Sequence, residues 1–127
     1  MSKKTYRVIQ WATGVVGSAA LKYFIENPAI ELAGVYVTNP DKVGKDAGDL
    51  VGLAKTGVLA TNDEAAILAM QADCVLFAPS MMTPPIDMVC QLLASGKNVV
   101  SPAGPFLTNK FIPEDAARVE VACKAGG

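Results

Sequence analysis

Histidine is absent from this 127-residue sequence, and cysteine is scarce. Without histidine, the chain has no imidazole that could activate a serine or cysteine nucleophile. The three cysteines, Cys74, Cys90 and Cys123, lie far apart in apolar segments and form no Cys-x-x-Cys pair, which is typical of small core residues. The sequence therefore predicts neither a histidine-based catalytic group nor a metal site.

The sequence also lacks an excess of charge of either sign, and it has no long apolar run. Eleven basic and twelve acidic residues are scattered along the chain, so no basic face suited to a nucleic acid is expected. No apolar stretch approaches the roughly 18 residues of a membrane span. The first residues do not show the charged, apolar and cleavage segments of a secretory signal. We therefore expect a cytoplasmic protein that binds neither nucleic acid nor membrane.

What the sequence does contain is a 51% hydrophobic composition, enough for one compact domain over residues 1–127. Runs of β-branched residues alternate with helical spacings of three and four. The predicted strands are 6–11, 30–37, 58–60, 73–78 and 98–101. The predicted helices lie between Gly14 and Pro28 and at about 61–72, 84–96 and 113–122, the second opened by a capping box of Thr61 and Glu64.

The remaining connection, 41–57, is rich in glycine and predicts a loop with one helical turn at about 46–51. Alternating strands and helices with short connections are typical of parallel βαβ units. The sequence therefore predicts an α/β fold of the Rossmann type. Its doubly wound parallel sheet has the order 3-2-1-4-5, with helices on both faces.

The turn after the first strand has the composition of a phosphate-binding loop. It consists of Thr13, Gly14, Val15, Val16 and Gly17. A pyrophosphate requires backbone N–H groups with no side chain in the way, as Gly14 and the amides of Val15 and Val16 would provide. Gly17 would let the helix pack close to the strand. The spacing fits GxxGxxG with its first glycine replaced by Trp11. A purely structural turn is the alternative, and the βαβ context favours nucleotide binding.

The end of the second strand bears on the choice of cofactor. An acid that would bind the ribose 2′-hydroxyl is absent at Val37, about twenty positions after the loop. Thr38, Asn39 and Lys42 offer hydrogen-bonding groups and a cation that could accept a 2′-phosphate, which favours NADP, with NAD as a second possibility. The alternative is an ordinary polar turn with a solvated Lys42.

Ligands of doubly wound sheets lie beyond the carboxyl ends of the strands. Further candidate cofactor residues therefore follow strands four and five: Ala78, Pro79, Ser80 and Ser101. The carboxylates show no pairing suited to a general acid and base, so no catalytic residue is predicted. Lys97 lies in a turn at the opposite end of the sheet and is expected to be a surface residue.

Four segments carry a resemblance to a known family: VIQWATGVVGSAALKY, ELAGVYVTNPDKVGKDAGDL, ADCVLFAPS and SGKNVVSPAG. Over its whole length, the chain resembles the N-terminal domain of dihydrodipicolinate reductase-like proteins. It is most similar to the branch with 2,4-diaminopentanoate dehydrogenase and related NAD(P)H-dependent amine dehydrogenases. The resemblance implies cofactor contacts at Gly14, Val16, Gly17, Thr38, Ser80 and Ser101. The chain departs from the family pattern at Trp11, where many relatives have glycine, and at Val37, where some have an acid.

The resemblance also implies the function. Such a domain holds NAD(P)H for an oxidoreductase acting on C=N bonds or amines, while a C-terminal domain that is absent here supplies the substrate groups. We expect this chain to bind the dinucleotide without turnover. A non-enzymatic nucleotide-sensing Rossmann module, or a related domain that binds no nucleotide, are the alternatives. The uncovered apolar surface predicts a homo-oligomer.

Overall fold

The structure is a computed structural model that describes residues 5–78, 86–100 and 113–126. Its elements follow the predicted alternation of strands and helices. The strands are β1 (Tyr6–Trp11), β2 (Ile30–Tyr36), β3 (Ala60–Thr61), β4 (Cys74–Phe77) and β5 (Asn98–Val100). The helices are α1 (Val15–Glu26), α2 (Ala47–Leu50), α3 (Glu64–Ala69), α4 (Ile86–Ala94) and α5 (Pro113–Gly126), with a short 3-10 turn at Pro40–Lys42.

All strand pairs are parallel, and the sheet has the order β3-β2-β1-β4-β5, which confirms the predicted topology. The last residue of β1, Trp11, is in register with Tyr36 on one side and Phe77 on the other. The three central strands therefore end level with one another. Crossovers leave in opposite directions from the adjacent strands β1 and β4, which makes this edge the topological switch point of the sheet.

Each face of the sheet packs against helices and has its own apolar core. On the α3 and α4 side, the buried residues are Ile9, Trp11, Tyr36, Ile67, Val75, Phe77, Met88, Val89 and Leu92. On the α1 and α2 side, they are Leu21, Val35, Val37, Ala47 and Ala60. Because side chains alternate along a strand, Ile9 and Trp11 face α3 and α4, whereas Gln10 between them faces α1.

The predicted helical turn within the glycine-rich loop is present as α2, and a single carboxylate organises the loop around it. Asp46 is buried and caps α2 by accepting a hydrogen bond from the Gly48 amide. It also accepts bonds from the amides of Thr56 and Gly57 and from the Thr56 hydroxyl. These bonds, led by the one from the Thr56 amide, hold the pKa of the Asp46 carboxyl at about 2.

Two expectations from the sequence need correction. The capping box at Thr61 is wrong: Asp63 caps α3 by accepting bonds from the amides of Ala65 and Ala66, while Thr61 is the last residue of β3. Lys97 is not a surface residue but only 4% exposed. Its ammonium group donates to the Leu68 carbonyl near the end of α3 and to the Ser95 hydroxyl, and burial lowers its pKa. Leu68 lies in the last turn of α3, where backbone carbonyls have no amide donor within the helix. Its carbonyl accepts from the buried ammonium group instead.

Among the described helices, none is long and apolar enough to cross a membrane. Within the same ranges, no group of three or more histidine, cysteine or acidic residues is arranged to hold a metal ion.

Candidate nucleotide site

The predicted site residues within the described ranges come from three segments and lie at the carboxyl edge of the sheet. Those that follow β1 are Thr13, Gly14, Val15, Val16 and Gly17; those that follow β2 are Thr38, Asn39 and Lys42; and Ala78 follows β4. Pro79, Ser80 and Ser101 lie outside the described residues. The structure therefore brings the first two groups next to one another at this edge, where Lys42 contacts Thr13.

Trp11 occupies the position of the first glycine without disturbing the loop. It is the last residue of β1, and its ring lies in the core, where it stacks on Tyr36 with ring centroids 3.8 Å apart. The unusual backbone conformation falls one residue later, at Ala12, with a φ of +78°. A bulky residue therefore fits at position 11, because its side chain points away from the loop and into the core between the sheet and helices α3 and α4.

The two glycines of the loop differ in their surroundings. A Cβ atom at Gly17 would lie 2.2 Å from the carbonyl oxygen of Ala12, so close packing of α1 against the loop requires glycine there. At Gly14, no described atom of the chain lies within 4 Å of such a Cβ position, and the residue is exposed. The fold itself therefore does not demand glycine at position 14, whereas close approach of a ligand would.

The first turn of α1 presents free amides at this point. Gly14 is the N-cap, and the first helical hydrogen bond runs from the Ser18 amide to the Gly14 carbonyl, 2.8 Å long. The amides of residues 15–17 precede any helical acceptor. The first turn carries no acidic residue, so the positive end of the helix dipole remains uncompensated there. This arrangement suits an anion such as a phosphate.

Lys42 reaches the loop from the 3-10 turn that follows β2. Its ammonium group lies 2.9 Å from the hydroxyl oxygen and 3.1 Å from the carbonyl oxygen of Thr13, which is itself buried. The interpretation of Lys42 as a merely solvated side chain is therefore wrong. Asn39, by contrast, does have the role that the polar-turn alternative gives it. Its side chain caps the 3-10 turn by accepting a hydrogen bond from the Asp41 amide.

The pKa of Tyr36, which stacks on Trp11, is raised by burial and by the charge of Glu64. Its phenol ring is part of the apolar core, while its backbone carbonyl accepts a 2.8 Å hydrogen bond from the Ala12 amide. Tyr36 thus contributes to the loop through its backbone.

Gln10 is a residue that the sequence analysis missed. It is fully buried, and its side-chain amide nitrogen donates to the Ala12 carbonyl at 2.9 Å. The available signal was a polar residue within an otherwise apolar strand core.

The fold and the loop together define the class: this is a Rossmann-type α/β domain, in which nucleotides bind beyond the carboxyl ends of the strands. Comparison with known proteins narrows the class to a family. The family described as "Dihydrodipicolinate reductase, N-terminus" matches residues 8–101. The chain belongs to this family, which confirms the resemblance inferred from the sequence.

Similar proteins include two kinds of enzyme. An amine dehydrogenase of Streptomyces virginiae is 40% identical over 99 residues, covering 75% of this chain and 28% of that protein. A 4-hydroxy-tetrahydrodipicolinate reductase of Methanococcus maripaludis is 33% identical over 114 residues, covering 87% and 40%. The solved amine dehydrogenase of Mycobacterium smegmatis has a TM-score of 0.84 at 25% identity, covering 96% and 37%. The chain thus spans 28 to 40% of the length of these proteins.

Proposed function

We propose that this chain is the NAD(P)H-binding domain of an oxidoreductase that acts on C=N bonds or amines. The observation that carries the proposal is the loop at residues 12–17, where open space at Gly14 adjoins the free amides of α1. The names of the relatives, amine dehydrogenase and 4-hydroxy-tetrahydrodipicolinate reductase, support the reaction class. When bound, the dinucleotide would supply the hydride.

The residues present fit such a cofactor. The pyrophosphate would lie on the amides of Val15, Val16 and Gly17, because they point out of the first helical turn with no internal acceptor. The adenosine ribose would then lie towards the end of β2, next to Thr38 and Lys42. The segments after β4 and β5, with Ala78, Pro79, Ser80 and Ser101, would hold the nicotinamide half.

The same proposal includes a preference for NADP(H) over NAD(H). The end of β2 carries Val37, Thr38 and Asn39 in place of the acid that binds a ribose 2′-hydroxyl, so the position that would repel a 2′-phosphate in an NAD-preferring domain is uncharged here. The Lys42 ammonium is held at Thr13 by two hydrogen bonds, beside the phosphate loop. A cation fixed in this way loses little side-chain freedom when it binds a phosphate oxygen.

The chain by itself is proposed to bind the cofactor without turnover. Hydride transfer requires that the acceptor be held in line with the nicotinamide, and the relatives are more than twice as long as this chain.

The cytoplasmic location expected from the sequence is part of the same proposal. So is self-association with a second copy, which the apolar groove between α4 and α5, lined by Ala94, Ala117, Val121 and Ala125, favours. Light scattering at high concentration that shows only monomer would contradict the last point.

Calorimetric titration of the chain with NADPH, NADH and ADP tests the proposal. We expect NADPH to bind more tightly than NADH, and both more tightly than ADP. Preference for ADP would favour a nucleotide sensor, and no heat with any of the three would refute nucleotide binding.

A pair of lysine variants tests the cofactor preference. Lys42→Met should weaken NADPH binding by about tenfold or more, because one charge-assisted hydrogen bond is worth about 1.5–3 kcal/mol. NADH binding should change much less. Lys45→Met is the matched control, since it removes the same charge from an exposed side chain three residues away. Equal losses in the two variants would reduce the role of Lys42 to general electrostatic attraction.

A further inference from the structure

The turn that opens the phosphate loop is strained and held from several sides. Ala12 has a φ of +78°, a left-handed conformation that residues with a Cβ atom seldom adopt. Its amide donates to the Tyr36 carbonyl at 2.8 Å, and its carbonyl accepts the side-chain amide of Gln10 at 2.9 Å. Such conformations persist only where the surroundings fix them, and they cluster at ligand sites.

Gln10 is the side chain that fixes this turn. It is fully buried on the α1 side of β1, and its amide nitrogen also lies 3.4 Å from the Trp11 carbonyl. Its amide oxygen has no hydrogen-bond partner among the described atoms. A buried amide that is only half satisfied destabilises the fold relative to an apolar residue of similar size. A polar residue at this place therefore requires a benefit other than stability.

We infer that Gln10 is a positioning residue for the dinucleotide: it binds the carbonyl groups of Trp11 and Ala12 so that the following loop presents only amides to the pyrophosphate. An Ala12 carbonyl released from Gln10 would be free to turn towards the anion and repel it. The contact also sets the space in which α1 packs, since the Gln10 amide nitrogen lies 3.1 Å from the Cβ position at Gly17. The inference rests on the proposed function.

Two variants of the full chain test this role. Gln10→Met keeps the length of the side chain but can donate no hydrogen bond. Gln10→Asn keeps the amide but is one methylene shorter, so it no longer reaches the Ala12 carbonyl. Ser95→Ala is the control, because it removes a hydrogen-bonding hydroxyl that accepts from Lys97 at the opposite edge of the sheet. The ligands are NADPH and adenosine 2′-monophosphate, which has the 2′-phosphate but lacks the pyrophosphate.

We expect both Gln10 variants to bind NADPH about tenfold more weakly than the wild-type chain, while adenosine 2′-monophosphate binding changes by less than about twofold. The thermal midpoint of Gln10→Met should stay near that of Ser95→Ala, because methionine removes the unsatisfied buried oxygen along with the hydrogen bond, whereas Gln10→Asn, which keeps a buried amide without its acceptor, should melt lower. Unchanged NADPH affinity in either variant, or equal losses for both ligands, would overturn the inference and leave the proposed function intact. Failure of the wild-type chain to bind NADPH would overturn both.

Discussion

Alanine substitutions at Gly17 and Gly14, taken together, separate the packing requirement of the loop from its binding requirement, and Gly17→Ala tests the packing. The added methyl group would lie 2.2 Å from the carbonyl oxygen and 2.9 Å from the carbonyl carbon of Ala12. Both atoms belong to the backbone of a turn that hydrogen bonds hold in place. Because no flexible side chain can move aside, α1 must shift away from the loop.

The expected loss of stability follows from two opposing effects. Overpacking that forces a backbone shift costs about 3 kcal/mol at the upper end of its usual range. Alanine within a helix recovers about 1 kcal/mol relative to glycine. The net loss of about 2 kcal/mol corresponds to a fall in the thermal midpoint of about 7 °C for a domain of this size. Since the shift moves the first-turn amides, NADPH affinity should also fall.

Gly14→Ala is the matched control. Gly14 has an extended backbone with φ −72°, which alanine adopts freely, and its Cβ position has open space around it among the described atoms. The thermal midpoint should therefore stay close to the wild-type value, while NADPH binding weakens by about tenfold because the methyl group enters the proposed cofactor space. Thermal melts with and without NADPH measure both quantities. A Gly17→Ala chain as stable as the wild type would refute the packing argument, and a Gly14→Ala chain with full affinity would refute the placement of the pyrophosphate.

Three further substitutions address individual residues. Ala12→Gly should raise the free energy of unfolding by about 0.5–1 kcal/mol, because glycine relieves the left-handed strain; an unchanged denaturation midpoint would count against it. The pKa of Asp46 is lowered from 3.8 to about 2, so the wild type should lose stability as the pH falls through this window, and Asp46→Asn should lose less; parallel melting curves would contradict this. Burial lowers the pKa of Lys97 below 10.5, so unfolding takes up a proton between the lowered pKa and 10.5, and the wild type should gain stability relative to Lys97→Met as the pH rises through this window; a constant difference in midpoint would argue against it.

The sheet order was predictable because it depends on features that a sequence displays directly. Each strand is a short apolar run bounded by turn residues, and right-handed crossovers leave few arrangements for alternating elements. The position of the loop followed from the same reasoning, since a turn after the first strand must lie at the carboxyl edge. The packing role that the spacing indicated for Gly17 agrees with its surroundings, because a Cβ atom there would lie 2.2 Å from the Ala12 carbonyl oxygen, while the binding role of Gly14 stays a prediction.

What the sequence did not display are contacts between distant residues. Lys97 donates to Leu68, 29 positions earlier, and Lys42 donates to Thr13, also 29 positions earlier. No local pattern distinguishes a lysine with such a partner from a solvated one. The prediction of the α3 N-cap was wrong for a related reason. Thr61 and Asp63 are both residue types that suit an N-cap, but Thr61 pairs with β2 as part of β3, so Asp63 caps the helix.

The stacked pair of Trp11 and Tyr36 gives this domain its own optical reporter. Trp11 is the single tryptophan of the sequence, so its fluorescence reports on one place only. That place is a buried aromatic cluster directly before the loop, in which the Phe77 ring lies 5.3 Å from the Trp11 ring. The emission of tryptophan overlaps the absorption of reduced nicotinamide, so energy transfer from Trp11 can follow a bound dinucleotide without any label. Variants of the loop could then be compared as purified chains by fluorescence alone.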